Sequence, residues 1–220
     1  MKIILLKEGI HKDIEPRSPK MDNEVSEICS SVVLLKAEND NEENIIVDTG
    51  NWGYEKEILN ALKNTGVKPE DIKWIVNTHN HFDHISNMYL FKKAKRVSKT
   101  GVWFPEKNGY YYKDASDLKE VHGIEIIPTP GHTPDHRSIM VKSDGKKYII
   151  AGDAINEKYM KENIFGVMDN PNYIQSAEKI VNMADIIIPG HGRMMQGKDL
   201  EQLRMIISKW RNNHGKTDTK

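Results

Sequence analysis

Three imidazoles and a carboxylate fall within six positions in His79-Asn80-His81-Phe82-Asp83-His84, and the apolar run Trp74-Ile75-Val76 leads straight into them. A strand ending in such a loop gathers several metal ligands at one place. His79 and His81, two apart, can turn to the same side of an extended chain end, while Asp83 and His84 follow where the chain must bend and can face a second point. Neutral imidazole suits zinc, iron and cobalt, and a carboxylate adds a harder oxygen. The plain alternative is a polar surface loop that happens to be rich in histidine. Ligands elsewhere weigh against it: His132 in Thr129-Pro130-Gly131-His132, Asp153 after Gly152, and His191 in Gly190-His191-Gly192 each follow an apolar stretch. Glycine and proline around His132 and His191 suit a chain turning sharply at a bound ion. His79, His81 and His132 can hold one ion and leave a position open; Asp83, His84 and His191 can hold a second; Asp153 can bridge them. Three protein ligands plus water is the catalytic pattern, whereas structural zinc is closed, usually with several cysteines, and this chain has one, Cys29.

The elements that must position these residues follow from the pattern of apolar positions. Strands are expected over Lys2 to Lys7, Ile28 to Ala37, Asn44 to Thr49, Trp74 to Val76, Ile124 to Ile127, Ser138 to Lys142, Lys147 to Ala151 and Ile186 to Ile188. Ser143-Asp144-Gly145 marks a hairpin. Helices are expected over Tyr54 to Asn64, stopped by Gly66, over Asn172 to Met183 and over Asp199 to Trp210, with a short helix ending near Met88 to Phe91. His11 to Glu24 reads as a loop, Trp103 to Pro105 with Tyr110 to Tyr112 as an aromatic loop region, and Asn212 to Lys220 as a frayed tail. A weak internal repeat is visible: apolar strand, acid (Asp48 or Asp153), helix, apolar strand, histidine loop. Short hairpins favour mostly antiparallel pairing in two strand-rich layers with helices outside.

Bulk properties narrow the function classes. At 220 residues the chain fits one domain over 1–220, and 32 basic against 32 acidic residues give no net charge to draw nucleic acid or a membrane. The N-terminal apolar run is only four residues long, which predicts a soluble, cytoplasmic protein without a membrane partner. A homo-oligomer is compatible with the sequence. Cys29 beside Ile28 reads as a buried apolar filler.

The ordered set His79-x-His81-x-Asp83-His84, Thr129-Pro130-Gly131-His132, Gly152-Asp153 and Gly190-His191-Gly192 resembles the metallo-β-lactamase superfamily, over about residues 28–195. The resemblance implies an α/β fold: a four-layer αββα sandwich of two mixed sheets with flanking helices. It implies two divalent metal ions, with zinc as the first expectation and iron or manganese as substitutes. It assigns His79, His81 and His132 to the first, Asp83, His84 and His191 to the second, and Asp153 to both. Asp48 in Val47-Asp48-Thr49-Gly50 matches the family's first motif and is implied to orient the histidine loop. His81 stands where flavodiiron oxidoreductases carry an acid, and no cysteine follows Gly152 as in cysteine-liganded zinc β-lactamases. The His-x-His-Phe-Asp-His form is similar to lactonase-like hydrolases.

Two ions ~3.5–4 Å apart share a water and lower its pKa from 15.7 towards ~7. The expected function is therefore hydrolysis of an ester, thioester or lactone of a small molecule by hydroxide on the metals, with Asp83 as ligand and proton acceptor. The alternative is a phosphodiesterase or ribonuclease on the same metals, for which the basic run Lys92 to Lys99 is the one supporting feature. His136, four residues after His132, is a candidate hydrogen-bonding support; His122 and Tyr110 to Tyr112 are candidates for a substrate groove, and Arg193 for an anion contact. For each, an ordinary surface or packing residue is the plainer reading.

Overall fold

The computed structural model describes residues 1–12, 27–97, 101–106, 109–114 and 121–214. The chain forms two compact units, Met1–His122 and Gly123–Lys220.

The first unit is built on a seven-stranded sheet. Its strands are β1 (Lys2–Lys7), β4 (Val32–Lys36), β5 (Asn44–Val47), β6 (Ile72–Val76), β7 (Lys95–Val97), β8 (Gly101–Glu106) and β9 (Gly109–Asp114), in that spatial order. A separate ribbon pairs β2 (Ile10–His11) with β3 (Ile28–Cys29). The expected strand 28–37 is thus broken at Ser30-Ser31, where Ser30 donates its N–H to the carbonyl of Asp83 (3.1 Å) instead of a sheet partner. β5, β6 and β7 are mutually parallel, and the other pairings of the sheet are antiparallel. The β5-to-β6 crossover is helix α1 (Glu55–Asn64), which opens with Glu55 and Glu57 near the positive end of its dipole. Its buried Ile58 and Leu62 join Leu34, Ile46, Ile72 and Ile75 in the core. Past the helix end, Gly66 takes φ +79° and Lys36 donates to the carbonyl of Thr65 (2.7 Å).

β8 and β9 correct the sequence reading. The aromatic stretch is a hairpin, with Trp103 opposite Tyr112 and Pro105 opposite Tyr110, and not a loop. It closes one end of the sheet, and Pro105 lies past Val102 and Trp103, the residues of β8 that pair with β7, where a missing N–H is tolerated. Lys95 on β7 sits 4.5 Å from the Trp74 ring centre and 5.5 Å from that of Phe104. Neighbouring strands therefore sandwich a cation between two aromatic faces. The tyrosine side chains of β9, Lys99, the expected loop over 13–24 and the end of the tail fall outside the described residues.

The second unit has the sheet order β10 (Glu125–Pro128), β11 (Arg137–Ser143), β12 (Lys146–Gly152), β13 (Ile186–Pro189) and β14 (Met195–Gln196). The β11–β12 hairpin turns at Asp144-Gly145 with both residues at positive φ. β12 and β13 are parallel, and their crossover contains α3 (Glu157–Glu162) and α4 (Pro171–Met183). The short α3 is absent from the sequence reading. It ends at Asn163 in the left-handed region, followed by Phe165 and Gly166, also at positive φ. α4 begins with Asn170 as N-cap and Pro171 at the first helical position. With α5 (Lys198–His214) it packs Tyr173, Ile174, Ala177, Ile180, Leu203 and Ile207 against Ile149 and Ile187 of the sheet.

Both units are thus mixed sheets with flanking helices, mostly antiparallel, as the fold class requires. The parallel strands sit where the sequence repeat places its acid and histidine loops.

Candidate metal centre

In the first unit the ligand loop is held from behind by Asp48. β5 ends at Val47, and Asp48 leaves it with φ +54°, its N–H still donating to the carbonyl of Val76 on β6 (3.2 Å). Its carboxylate is 1 % exposed. It accepts from the Thr78 N–H (2.8 Å), the Thr78 hydroxyl (2.8 Å) and His84 Nδ1 (2.7 Å). Three donors compensate a buried charge that would otherwise be costly. The arrangement also fixes tautomers. Thr78 has one proton and gives it to Asp48, so His79 Nδ1, 3.1 Å from Thr78 Oγ1, is the donor there. His79 and His84 therefore both carry their proton on Nδ1 and present the Nε2 lone pair on the opposite side.

Those lone pairs meet other donor atoms. His79 Nε2 lies 2.9 Å from His81 Nδ1, and His84 Nε2 lies 3.5 Å from Asp83 Oδ2. Two nitrogens on one tetrahedral zinc, each at about 2.0–2.1 Å, stand roughly 3.3 Å apart. Each pair thus matches two ligands converging on one cation. His79, Asp83 and His84 are buried and His81 is exposed. The four-residue helix α2 (Phe82–Ile85) carries Asp83 and His84, and the His84 carbonyl accepts from the Thr49 N–H (2.8 Å), the Thr49 hydroxyl (3.1 Å) and Asn77 Nδ2 (3.3 Å). Arg96 on β7 braces the loop by donating to Asn77 Oδ1 (3.2 Å) and Asn80 Oδ1 (2.8 Å). Part of the basic run is therefore structural: Lys95 and Arg96 are engaged within the unit, and Lys92 and Lys93 are exposed.

In the second unit Asp153 faces forward. Its Oδ2 lies 3.2 Å from His132 Nε2 and its Oδ1 lies 3.4 Å from His191 Nε2. One carboxylate thus addresses two imidazoles with separate oxygens. The His132 loop is fixed by the start of α4. Asn170 caps the helix and donates Nδ2 to the carbonyl of Gly131 (3.0 Å), and Ser176 donates to the carbonyl of Pro130 (2.7 Å). Gly131, at φ +140°, approaches α4 so closely that a Cβ there would lie 2.4 Å from Tyr173 Cα. The Asn170-Pro171 pair is a sequence signal for the helix start; its reach to Gly131 is not.

Of the remaining candidates, His136 is buried and hydrogen-bonded to Asp153, and His122 is exposed. Arg193 is bound through both terminal nitrogens to Asp199 (2.8 and 2.6 Å), which makes it a brace between the His191 loop and α5. The Asp199 carboxyl is held down at about 2, first by Arg193 and then by the Gln196 N–H. Thr78 and Ser176 support the ligand loops without having been singled out in the sequence, and Arg96, read there only as part of a basic run, braces one of them. Cys29 is fully buried, and desolvation pushes its thiol up to about 11, as a packing residue requires.

The donor chemistry fits divalent metal in both units: imidazole nitrogens, with the tautomers of His79 and His84 set, aspartate oxygens beside them, and no thiolate among them. Such donor sets on mixed sheets with flanking helices suit a metal-dependent hydrolase. The chain belongs to the metallo-β-lactamase superfamily, whose family model matches residues 27–191. It is similar to metallo-β-lactamase domain-containing protein 1 of Xenopus laevis, 29 % identical over 195 residues that cover 84 % of this chain and 79 % of that protein. It is also similar to an N-acyl homoserine lactonase from a Bacillus species, 25 % identical over 68 % of this chain and 65 % of the lactonase. A Thermotoga maritima crystal structure assigned to the metallo-β-lactamases superposes with a TM-score of 0.66, covering 89 % of this chain and 99 % of that one at 18 % identity, which places the fold. No described helix is long and apolar enough to cross a membrane.

Proposed function

We propose that the two units form one functional domain in which seven residues hold two divalent ions, zinc in the first instance. His79, His81 and His132 take the first, Asp83, His84 and His191 the second, and Asp153 both. The observation that carries this reading is Asp153, whose two oxygens address two different histidines. When bound, such a pair of ions lowers the pKa of a shared water and polarises the bond to be broken. The protein's own part is to orient and to move one proton. Asp48 keeps His79 and His84 in the ligating tautomer, and Asp83, with Oδ2 towards His84, accepts the proton of the attacking water on Oδ1. Phe82 and Trp52, 71 % and 63 % exposed with ring centres 6.0 Å apart, flank the ligand loop and offer apolar contact. A small ester, thioester or lactone with an apolar portion suits this surface better than a phosphodiester backbone, because the nearby Lys95 and Arg96 are already engaged.

The test is elemental analysis of native protein with a panel of lactone, thioester, ester and phosphodiester substrates. The expected result is about two ions per chain and turnover of the carboxylic substrates, abolished by a chelator and restored by metal. Preferential phosphodiester cleavage with a steep salt dependence would replace this reading with the nuclease one. A single turnover in ¹⁸O-labelled water should place the label directly in product, since no side-chain nucleophile is involved. Cell fractionation checks the accompanying expectation of a cytoplasmic protein, and light scattering checks whether it assembles.

A further inference from the structure

A run of buried hydroxyls and one imidazole crosses the strand ends of the second unit. Ser138 on β11 donates its hydroxyl to the carbonyl of Ala151 on β12 (3.2 Å). Thr129, just past β10, lies 2.9 Å from Ser138 Oγ, and His136 Nδ1 lies 2.9 Å from Thr129 Oγ1. His136 Nε2 in turn accepts the N–H of Asp153 at 3.1 Å. Thr129 and Ser138 are fully buried and His136 is 2 % exposed.

The direction of every bond is determined. A carbonyl only accepts, so the single Ser138 proton goes to Ala151. Thr129 must then donate to Ser138, and His136 Nδ1 must donate to Thr129. A neutral imidazole has one proton, so its Nε2 carries the lone pair that the Asp153 N–H needs. The far side of the same peptide group is also held: the Gly152 carbonyl accepts the N–H of Gly190 (2.8 Å), the residue before His191. Gly152 takes φ +51° to turn that peptide into place. One peptide plane is thus pinned at its N–H by His136 and at its C=O by the His191 loop.

From this geometry we infer that His136 is the positioning residue for the bridging ligand. It sets the Gly152–Asp153 peptide so that one Asp153 oxygen meets His132 and the other meets His191, and the Thr129–Ser138–Ala151 relay holds it in the only tautomer that can do so. The inference rests on the metal assignment proposed above. It concerns the affinity and spacing of the ions, and His136 touches neither substrate nor metal.

The test separates positioning from folding. His136→Phe fills the space without an acceptor, whereas His136→Gln restores one, with Oε1 towards Asp153 and the amide N–H towards Thr129. Zinc affinity is measured by competition with a chromophoric chelator, and the stability of metal-free protein by urea denaturation. His136→Phe should lose about 10–100-fold in zinc affinity, the usual cost of removing an outer support. His136→Gln should recover most of it, and Thr129→Val should fall between. Long-range ¹H–¹⁵N correlation on metal-free wild type should show His136 protonated at Nδ1. An Nε2-protonated ring, or a Phe variant that binds zinc as tightly as wild type, overturns the inference. Because the ¹⁵N measurement needs no variant to fold and no metal to bind, it decides even if the substitutions misfold. Wild type that takes up no zinc would instead overturn the metal assignment itself.

Discussion

The two strand–helix–strand crossovers have the same plan and use their acids in opposite ways. In the first unit an acid orients histidines: Asp48 is buried, accepts three hydrogen bonds and presents nothing forward. In the second a histidine orients the acid: His136 holds the peptide of Asp153, and the carboxylate points at His132 and His191. The cause is a shift of one position in where the chain turns left-handed. After β5 the acid itself takes the positive φ, +54°, which swings its side chain back towards Thr78. At the end of β12 the preceding Gly152 takes it, +51°, and Asp153 is delivered to the front. One glycine decides whether a strand-end aspartate faces back into its own unit or forward.

The largest expected effect is at the forward acid. Asp153→Asn keeps the shape and removes the charge between two imidazoles; kcat/KM should fall by more than the roughly 10–100-fold that losing an outer support costs. An equal loss in His136→Ala would show that the bridge has been misplaced. Next comes a pair of glycines beside the ligands. Gly131→Ala drives a Cβ into the Tyr173 backbone and should cost about 3 kcal/mol in urea denaturation. Gly192→Ala, at φ +92° with nothing within 4 Å, should cost only the strain of its conformation, about 1 kcal/mol.

Asp48→Asn comes third. Asparagine tolerates positive φ, so the substitution isolates the loss of acceptors from backbone strain. Its amide group must face either Thr78 or His84, both of which donate, and zinc affinity should drop about 10–100-fold. An unchanged affinity would remove the proposed difference between the two acids. The smallest effect is at the brace. Arg193→Met should cost less than ~1 kcal/mol at neutral pH, because the pair is largely solvent-facing. The Asp199 pKa is lowered in the folded protein, so the stability it lends is present above the ordinary value of 3.8 and is lost as pH falls towards about 2. Acid titrations of the variant should be flatter than wild type between pH 4 and 2.

The candidate donor residues and the strand ends before them were legible in the sequence because they depend on residue identity and short spacing. His79 to His84 sit directly after an apolar run, and the repeat of acid and histidine after such runs reappears as the two parallel crossovers. What was not legible depends on direction. The spacing of His136 from His132 gave no hint that its ring faces the Asp153 N–H, since Thr129 from the end of β10, itself bonded to Ser138, fixes that. The 101–114 hairpin was hidden by Pro105 and Gly109, which mark loops in isolation; Pro105 is tolerated because it lies past the residues of β8 that pair with β7. α3 was hidden because its exit relies on Asn163 and Phe165 at positive φ, a conformation no propensity favours for phenylalanine.

Cys29 gives the first unit a built-in stopwatch. It is the chain's one cysteine, fully buried, with Sγ accepting the Asn51 N–H (3.3 Å) where β5 passes into α1. A thiol raised from 9.0 to about 11 has roughly 100-fold less thiolate at neutral pH, so alkylating reagents react only when the segment opens. Each labelled chain gains a single mass increment. Its time course reports how often the region beside Asp48 comes apart.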